Sequence, residues 1–228
     1  MKHYFVLVLI GFGGVFGCGT KPEAESTKIA RASYEEILVS VEEKRKSIYN
    51  KEFNHAETKK YIFNLLRESI FPAWKGTKWD FNGTSTKPGE GQIACGYFVM
   101  TCLEHSGFEC DRVKFAQQAS SKIVISFSDK KDVKVFGNND FKSFYDHVSK
   151  HIDQLFIVGL DNHVGFVVND NGKIYAVHST AWPQGSVVIE PLNTSKVFMD
   201  SKVHYTGMPL KSEAILKKWR LSEEITMI

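Results

Sequence analysis

The chain has 228 residues, 43% of them apolar and 24% charged, with a formal net charge of +3. Those proportions exclude collagen-like, coiled-coil and broadly disordered classes, and the length suits one domain with a small N-terminal extension. So small a net charge, with no concentrated basic stripe, gives no ground for a nucleic-acid binder.

The N-terminus carries the first functional information. Lys2 and His3 form a short polar head before the apolar run Tyr4–Ile10 and the Gly-rich stretch GFGGVFG, which ends at Cys18. This apolar segment is too short to span a bilayer comfortably as a helix. A basic head, a short apolar core and small residues before a cut site are the pattern of a secretory signal. Val15-Phe16-Gly17-Cys18 resembles a bacterial lipobox, in which the cysteine is acylated and becomes the new N-terminus, although Phe16 is bulkier than the small residue usual there. The alternative is a plain signal peptide cut near Gly17 or Gly19, with Cys18 incidental. The expected organisation is a lipoprotein signal peptide over 1–17, a polar tether over 18–32 and one domain over 33–228. Several acyl chains on Cys18 suffice for stable membrane anchoring, which places the domain in the bacterial cell envelope, facing the periplasm or the exterior. The other cysteines are Cys95, Cys102 and Cys110; their gaps of seven and eight residues do not match zinc-site spacings. An odd count in an exported protein means a free thiol or an intermolecular bond, with a Cys102–Cys110 bridge as one option.

Along the mature chain, apolar residues at 34, 37, 38, 41 and 48 have helical spacing. A second helix is expected over Glu57–Phe71, ended by Pro72. Gly and Pro at 76, 83, 88, 89 and 91 make residues 75–92 a loop. Cys95–Glu104 reads as a buried helix, Arg112–Ser128 is ambiguous between helix and strand, and Asn139–Ile152 is an amphipathic helix. The period then changes. Leu155–Leu160, His163–Val168, Lys173–His178 and Ser186–Glu190 are short β-branched or apolar runs, and Asn169-Asp170-Asn171-Gly172 reads as a hairpin turn. A final helix covers Lys211–Arg220. Helices first and an antiparallel meander afterwards make an α+β pattern, with N-terminal helices packed on an antiparallel β-sheet.

Three residues could combine in chemistry. Cys95 opens an apolar helix after a Gly-rich loop, where the helix dipole favours thiolate. His163 begins a strand and is a candidate general base. His178 ends the strand paired with it across the turn, where one ring could orient the other. Nucleophile, base and orienter are what covalent acyl transfer needs. Asp161, Asn162 and Asp170 compete with His178 for the third role. A zinc site of Cys95, His163 and His178 is a further reading, and Cys102 reads as core. His147 and His151, at i and i+4, read as a solvated face rather than metal ligands, and Trp74 and Trp79 as either core or cleft entrance.

The stretch GTKWDFNGTSTKPGEGQIACGYFV (76–99) resembles the nucleophile region of the papain-like NlpC-type cell-wall peptidases. HVGFVV (163–168) resembles that family's base strand, and IYAVHST (174–180) the strand carrying its third polar residue. The ordered trio covers residues 76–180. The family usually has Asp before the cysteine and Ser-Gly after it, where this chain has Ala94, Gly96 and Tyr97; Trp79 stands where a Tyr is frequent. The resemblance implies a papain-like fold and a Cys95-His163-His178 triad, with Trp79, Gly96 and Tyr97 at the substrate. It implies hydrolysis of an amide in peptidoglycan stem peptides or another peptide substrate, without metal or organic cofactor. A non-catalytic cell-wall or partner-binding module of the same fold is the alternative.

The lipobox reading has its own test. Cys18→Ser should abolish incorporation of labelled fatty acid and move the protein out of the membrane fraction; an unlabelled wild-type protein would overturn it.

Overall fold

The computed structural model describes the backbone of residues 23–228 and the side chains of 34–228. The signal segment and Cys18 lie outside the described residues. Helix α1 (Glu23–Ile48) starts inside the stretch expected as tether. That stretch is polar, but it is rich in Glu, Ala, Lys and Arg, which are strong helix formers. Tyr34 and Val41 are buried, with Ile37, Leu38 and Ile48 packed beside them, so the helix lays one apolar stripe on the core. Arg45 lies on that stripe too; its guanidinium donates to the Gly107 carbonyl at 3.0 Å and pairs with Glu109 at 2.9 Å. No described helix is long and apolar enough to cross a membrane.

Helix α2 (His55–Leu65) is capped by Asn54, whose side chain accepts from the Glu57 N–H. The helical path does not end at Pro72. It widens into a π-turn over Leu66–Ile70 and continues as α3 (Phe71–Trp74), with Pro72 in the first turn. A proline in a first turn removes a donor that has no intrahelical acceptor, and the π-turn resets the register so that this position becomes available. Trp74 is fully buried, which decides between its two readings in favour of the core. Its indole N–H donates to the Tyr34 hydroxyl at 2.8 Å, which in turn lies 2.8 Å from His105 Nδ1.

Next come α4 (Cys95–His105), α5 (Arg112–Ala116) and α6 (Ser120–Ser126), so the ambiguous region 112–128 is two short helices. Strand β1 (Lys134–Phe136) and helix α7 (Phe141–Ser149) follow. The meander is β2 (Gln154–Gly159), β3 (Val164–Asp170), β4 (Lys173–Thr180) and β5 (Ser186–Pro191). Helix α8 (Lys196–Met199), strand β6 (His204–Gly207) and helix α9 (Glu213–Leu221) complete the chain. The six strands form one sheet in the order β1-β6-β2-β3-β4-β5, antiparallel at every pairing. The protein is therefore α+β with helices on an open antiparallel sheet. Asn171 (φ 49°) and Gly172 (φ 86°) supply the two left-handed positions of a type I′ turn between β3 and β4.

Both sheet faces are covered, which explains why β2 is buried at all six positions rather than alternating. Leu155, Ile157, Phe166, Val168 and Val177 face α1–α6 and α9; Phe156, Val158, Val167 and Ala176 face Phe144, Val148, Leu192 and Phe198. Cys102 and Cys110 are both free thiols, so the bridge between them is absent. His147 is not on a solvated face: it packs against Phe136 and Phe156, and its Nε2 is buried without a partner. Burial pushes its imidazole down to about 4.

Phe166 stands at the centre of an aromatic chain, 5.0 Å from Phe71 and 6.2 Å from Phe98 between ring centroids. Phe166→Ala should cost about 3–5 kcal/mol in denaturant unfolding, as deletion of a fully buried ring does. A loss under about 1 kcal/mol would show that this chain is not the centre of the core.

Candidate functional site

The loop before α4 is built by backbone pairing, not by side chains. Gly76 N–H donates to Val187 O at 2.9 Å, Val187 N–H to Thr77 O at 2.8 Å and Trp79 N–H to Gly185 O at 2.8 Å, so residues 76–79 run along β5 as an extra edge. Further on, Ile93 N–H donates to Lys78 O and Ala94 N–H to Gly83 O, each at 2.9 Å. The buried Ser179 hydroxyl donates to the Ile93 carbonyl at 2.6 Å. Ala94 is extended (φ −79°, ψ 162°), and Cys95 is the first residue of α4. Gly96 allows this helix start to approach α5: a Cβ there would stand 2.4 Å from the Ala116 carbonyl oxygen.

Arg112 clamps the same loop from the other side. Its Nε donates to Thr101 Oγ1 at 2.7 Å, and one Nη donates to the carbonyls of Thr84 and Ser85, each at 2.9 Å. The guanidinium lies over the Tyr97 ring, whose hydroxyl meets Gln117 at 3.1 Å. Tyr97 is thereby committed to Arg112 and Gln117, and the backbone of Trp79 to the edge of β5. Of the three residues expected at the substrate, only Gly96 lines the cleft beside Cys95.

That cleft holds about 410 Å³ and is walled by Gly96 and Cys95, the α5–α6 connection around Ala119 and Ser121, and the β2–β3 turn carrying Asn162 and His163. Burial pushes the Cys95 thiol above its ordinary pKa, while the backbone N–H groups of Val164, Gly96 and Cys95 face the sulfur and pull the other way. The expected depression by the helix start is thus outweighed: the desolvated sulfur rests as a thiol.

His163 precedes β3, and its Nε2 lies 2.9 Å from His178 Nδ1 on β4. The register pairs Phe166 with Val177, so the two histidines sit diagonally on one sheet face, their rings crossed at 84°. Gly165 makes the meeting possible, because a Cβ there would be 2.8 Å from that of His178 and 3.2 Å from the Phe198 ring. Phe198 presses edge-on against both rings. Burial, and then the neighbouring His178, push His163 down to about 3.

Sequence reasoning did not find the next group. His178 Nε2 lies 3.1 Å from Glu190 Oε1 on β5. Contact with His178 holds the Glu190 carboxyl below its ordinary range, against the cost of burial. Ser195 approaches the same carboxylate, outside strict hydrogen-bond geometry. The alternation of β5 would have marked Glu190 as sharing a face with Val188, the partner of His178. The rivals for the third role are engaged elsewhere: Asp161 accepts from the Lys202 N–H at 3.0 Å, and Asp170 pairs with Arg67 at 2.7 Å. Asn162 lines the cleft. Both nitrogens of His178 have partners, so it does not converge with Cys95 and His163 on one metal position. Among the described residues no group of three or more His, Cys, Asp or Glu side chains could hold a metal ion.

Neutral burial of His163 has a thermodynamic signature that His105 and His147 share, since burial pushes both of those down to about 4. An unfolded histidine takes a proton near pH 6.5, whereas the folded ones do so only near 3–4, so between these values the unfolded chain holds more protons. Stability should be insensitive to these groups above about pH 7 and should fall as pH drops from about 6.5 toward 4. Urea unfolding at pH 7.5, 5.5 and 4.5 measures this, and His163→Gln should show a shallower fall; equal slopes in variant and wild type would contradict it.

No family model, no curated protein and no solved structure matches this chain. The geometry of the cleft and the sequence motifs therefore carry the functional reading.

Proposed function

We propose that this chain is a cell-envelope cysteine hydrolase with a papain-like, NlpC-type fold that cleaves an amide bond in peptidoglycan stem peptides. The observation that supports it is that Cys95, with backbone N–H groups around its sulfur, and His163 line one cleft, with His178 bonded behind His163. The lipobox-like residues before Cys18 add the compartment, and the anchored domain would meet cell-wall peptide as its partner. The reaction needs no metal or organic cofactor.

In the proposed reaction the substrate carbonyl enters the cleft beside Cys95. His163 takes the thiol proton as the sulfur attacks, forming the C–S bond and an oxyanion. Because the thiol is raised and the imidazole depressed, this proton moves with the attack rather than before it. N–H groups of Cys95 and Gly96, already turned to the sulfur, are suited to the charge as it passes to the carbonyl oxygen. Such donors are worth about 3–4 kcal/mol each in comparable enzymes. His163 then protonates the leaving amine as the C–N bond breaks. Water, deprotonated by the same ring, hydrolyses the thioester and restores the thiol.

The resting neutral pair also favours a second reading, a binding module of the same fold that has lost turnover. Release of fragments from purified peptidoglycan separates the two. Cys95→Ala should remove hydrolysis by at least about 10³-fold while changing stability by no more than about 1–2 kcal/mol. His163→Ala should do the same, and His178→Asn should retain measurable turnover through a preserved hydrogen bond. Cys102→Ala, by contrast, should cost stability and spare activity. Full activity in the Cys95 variant would end the hydrolase reading.

A further inference from the structure

We propose that Glu190 is a positioning residue that sets the tautomer of both histidines, so that His163 presents an unprotonated Nδ1 on the Cys95 side. The proposal extends the cysteine-hydrolase reading, and its first test does not depend on turnover. Glu190 Oε1 stands 3.1 Å from His178 Nε2, and an ionised carboxylate can only accept a hydrogen bond. The proton of His178 must then sit on Nε2. An uncharged His178 has its lone pair on Nδ1, which lies 2.9 Å from His163 Nε2. That lone pair requires a proton on His163 Nε2, and the uncharged ring is left with its lone pair on Nδ1. This is the form a base needs in order to take a thiol proton.

The surroundings remove the competing arrangements. His178 is fully buried, so water does not offer either nitrogen an alternative partner. Phe198 closes the apolar side of both rings, 5.2 Å from His178 and 6.4 Å from His163 between centroids. The other carboxylates in reach of the β2–β3 and β3–β4 turns are bound elsewhere: Asp161 accepts from the Lys202 N–H, Asp170 pairs with Arg67 and Asp153 accepts from the Asn171 N–H. The Glu190 side chain is 21% exposed, which leaves one end of the relay near solvent and the other, at His163, in the cleft. When His163 takes the thiol proton, the relay ends in a carboxylate that faces the new positive charge through one intervening ring.

The test is nitrogen-15 NMR of the histidine rings in the full chain at pH 8, with Glu190→Gln as the comparison. In the wild type both His163 and His178 should carry their proton on Nε2. In Glu190→Gln the amide N–H₂ can donate to His178 Nε2, which would reverse both tautomers, and the spectrum should show the Nδ1–H form at both rings or a mixture. Against peptidoglycan fragments the same variant should lose kcat at least tenfold with KM little changed. A wild-type His163 protonated on Nδ1 would overturn the proposal even if the variant failed to fold, and so would unchanged tautomers in Glu190→Gln. Reversed tautomers in a protein that hydrolyses nothing would uphold the relay and remove the hydrolase reading instead.

Discussion

A polar group taken out of water must find its hydrogen bonds inside the fold, and the line of side chains from His163 through His178 to Glu190 meets that demand around a fully buried imidazole. His178 is wholly buried on a sheet whose two faces are both covered, and each of its nitrogens has one partner. Loss of a partner there would leave an uncompensated donor or acceptor, at a cost of about 1–3 kcal/mol. The strand register, the missing side chain at Gly165 and the ring of Phe198 are all arranged around this line. It ties β3, β4 and β5 together through side chains, in addition to their backbone ladders.

The same burial governs the acid–base state of the cleft. A helix start and three backbone N–H groups would lower the pKa of an exposed thiol, yet the Cys95 thiol is raised. The imidazole beside it is depressed. Desolvation penalises thiolate and imidazolium alike, so the separated charges are unfavourable until something polar fills the cleft. A polar group entering the cleft would relieve that penalty, and the N–H groups around the sulfur are placed to meet negative charge. A site of this kind is quiet when empty.

How much of this was legible in the sequence follows the range of each interaction. The Asn171-Gly172 turn and the helix opening at Cys95 are local events, written in residues next to one another. The pairing of His163 with His178 was legible because the turn fixes the register, and register fixes which side chains share a face. The strands β1 and β6 were not legible: they are three and four residues long, and β1 exists through its pairing with β6, β6 through its pairing with β1 and β2. Pro72 reads as a helix end by the ordinary rule, and the π-turn that accommodates it leaves no mark in apolar spacing. Tyr97 looks like a cleft residue from its place beside Cys95 and Gly96, but the Arg112 guanidinium, fifteen residues downstream, and the Gln117 amide hold it away. Glu190 was hidden for a related reason, because its meaning depends on which residue of a neighbouring strand it faces.

Strand β4 shows how so few elements hold Cys95 and His163 in one frame. Successive residues of a strand point to opposite faces. His178 points toward Phe198 and continues the polar line to Glu190, while Ser179, the next residue, points toward the helices and holds the Ile93 carbonyl at 2.6 Å. Ile93 is two residues before Cys95, and Ala94 between them is tied to Gly83. A shift of β4 by one residue would exchange the two faces, carrying His178 into the helical side and releasing Ile93 at once. The orientation of the imidazoles and the position of the sulfur are therefore a single property of one strand's register, and the tight turn at Asn171-Gly172 sets that register from only two residues.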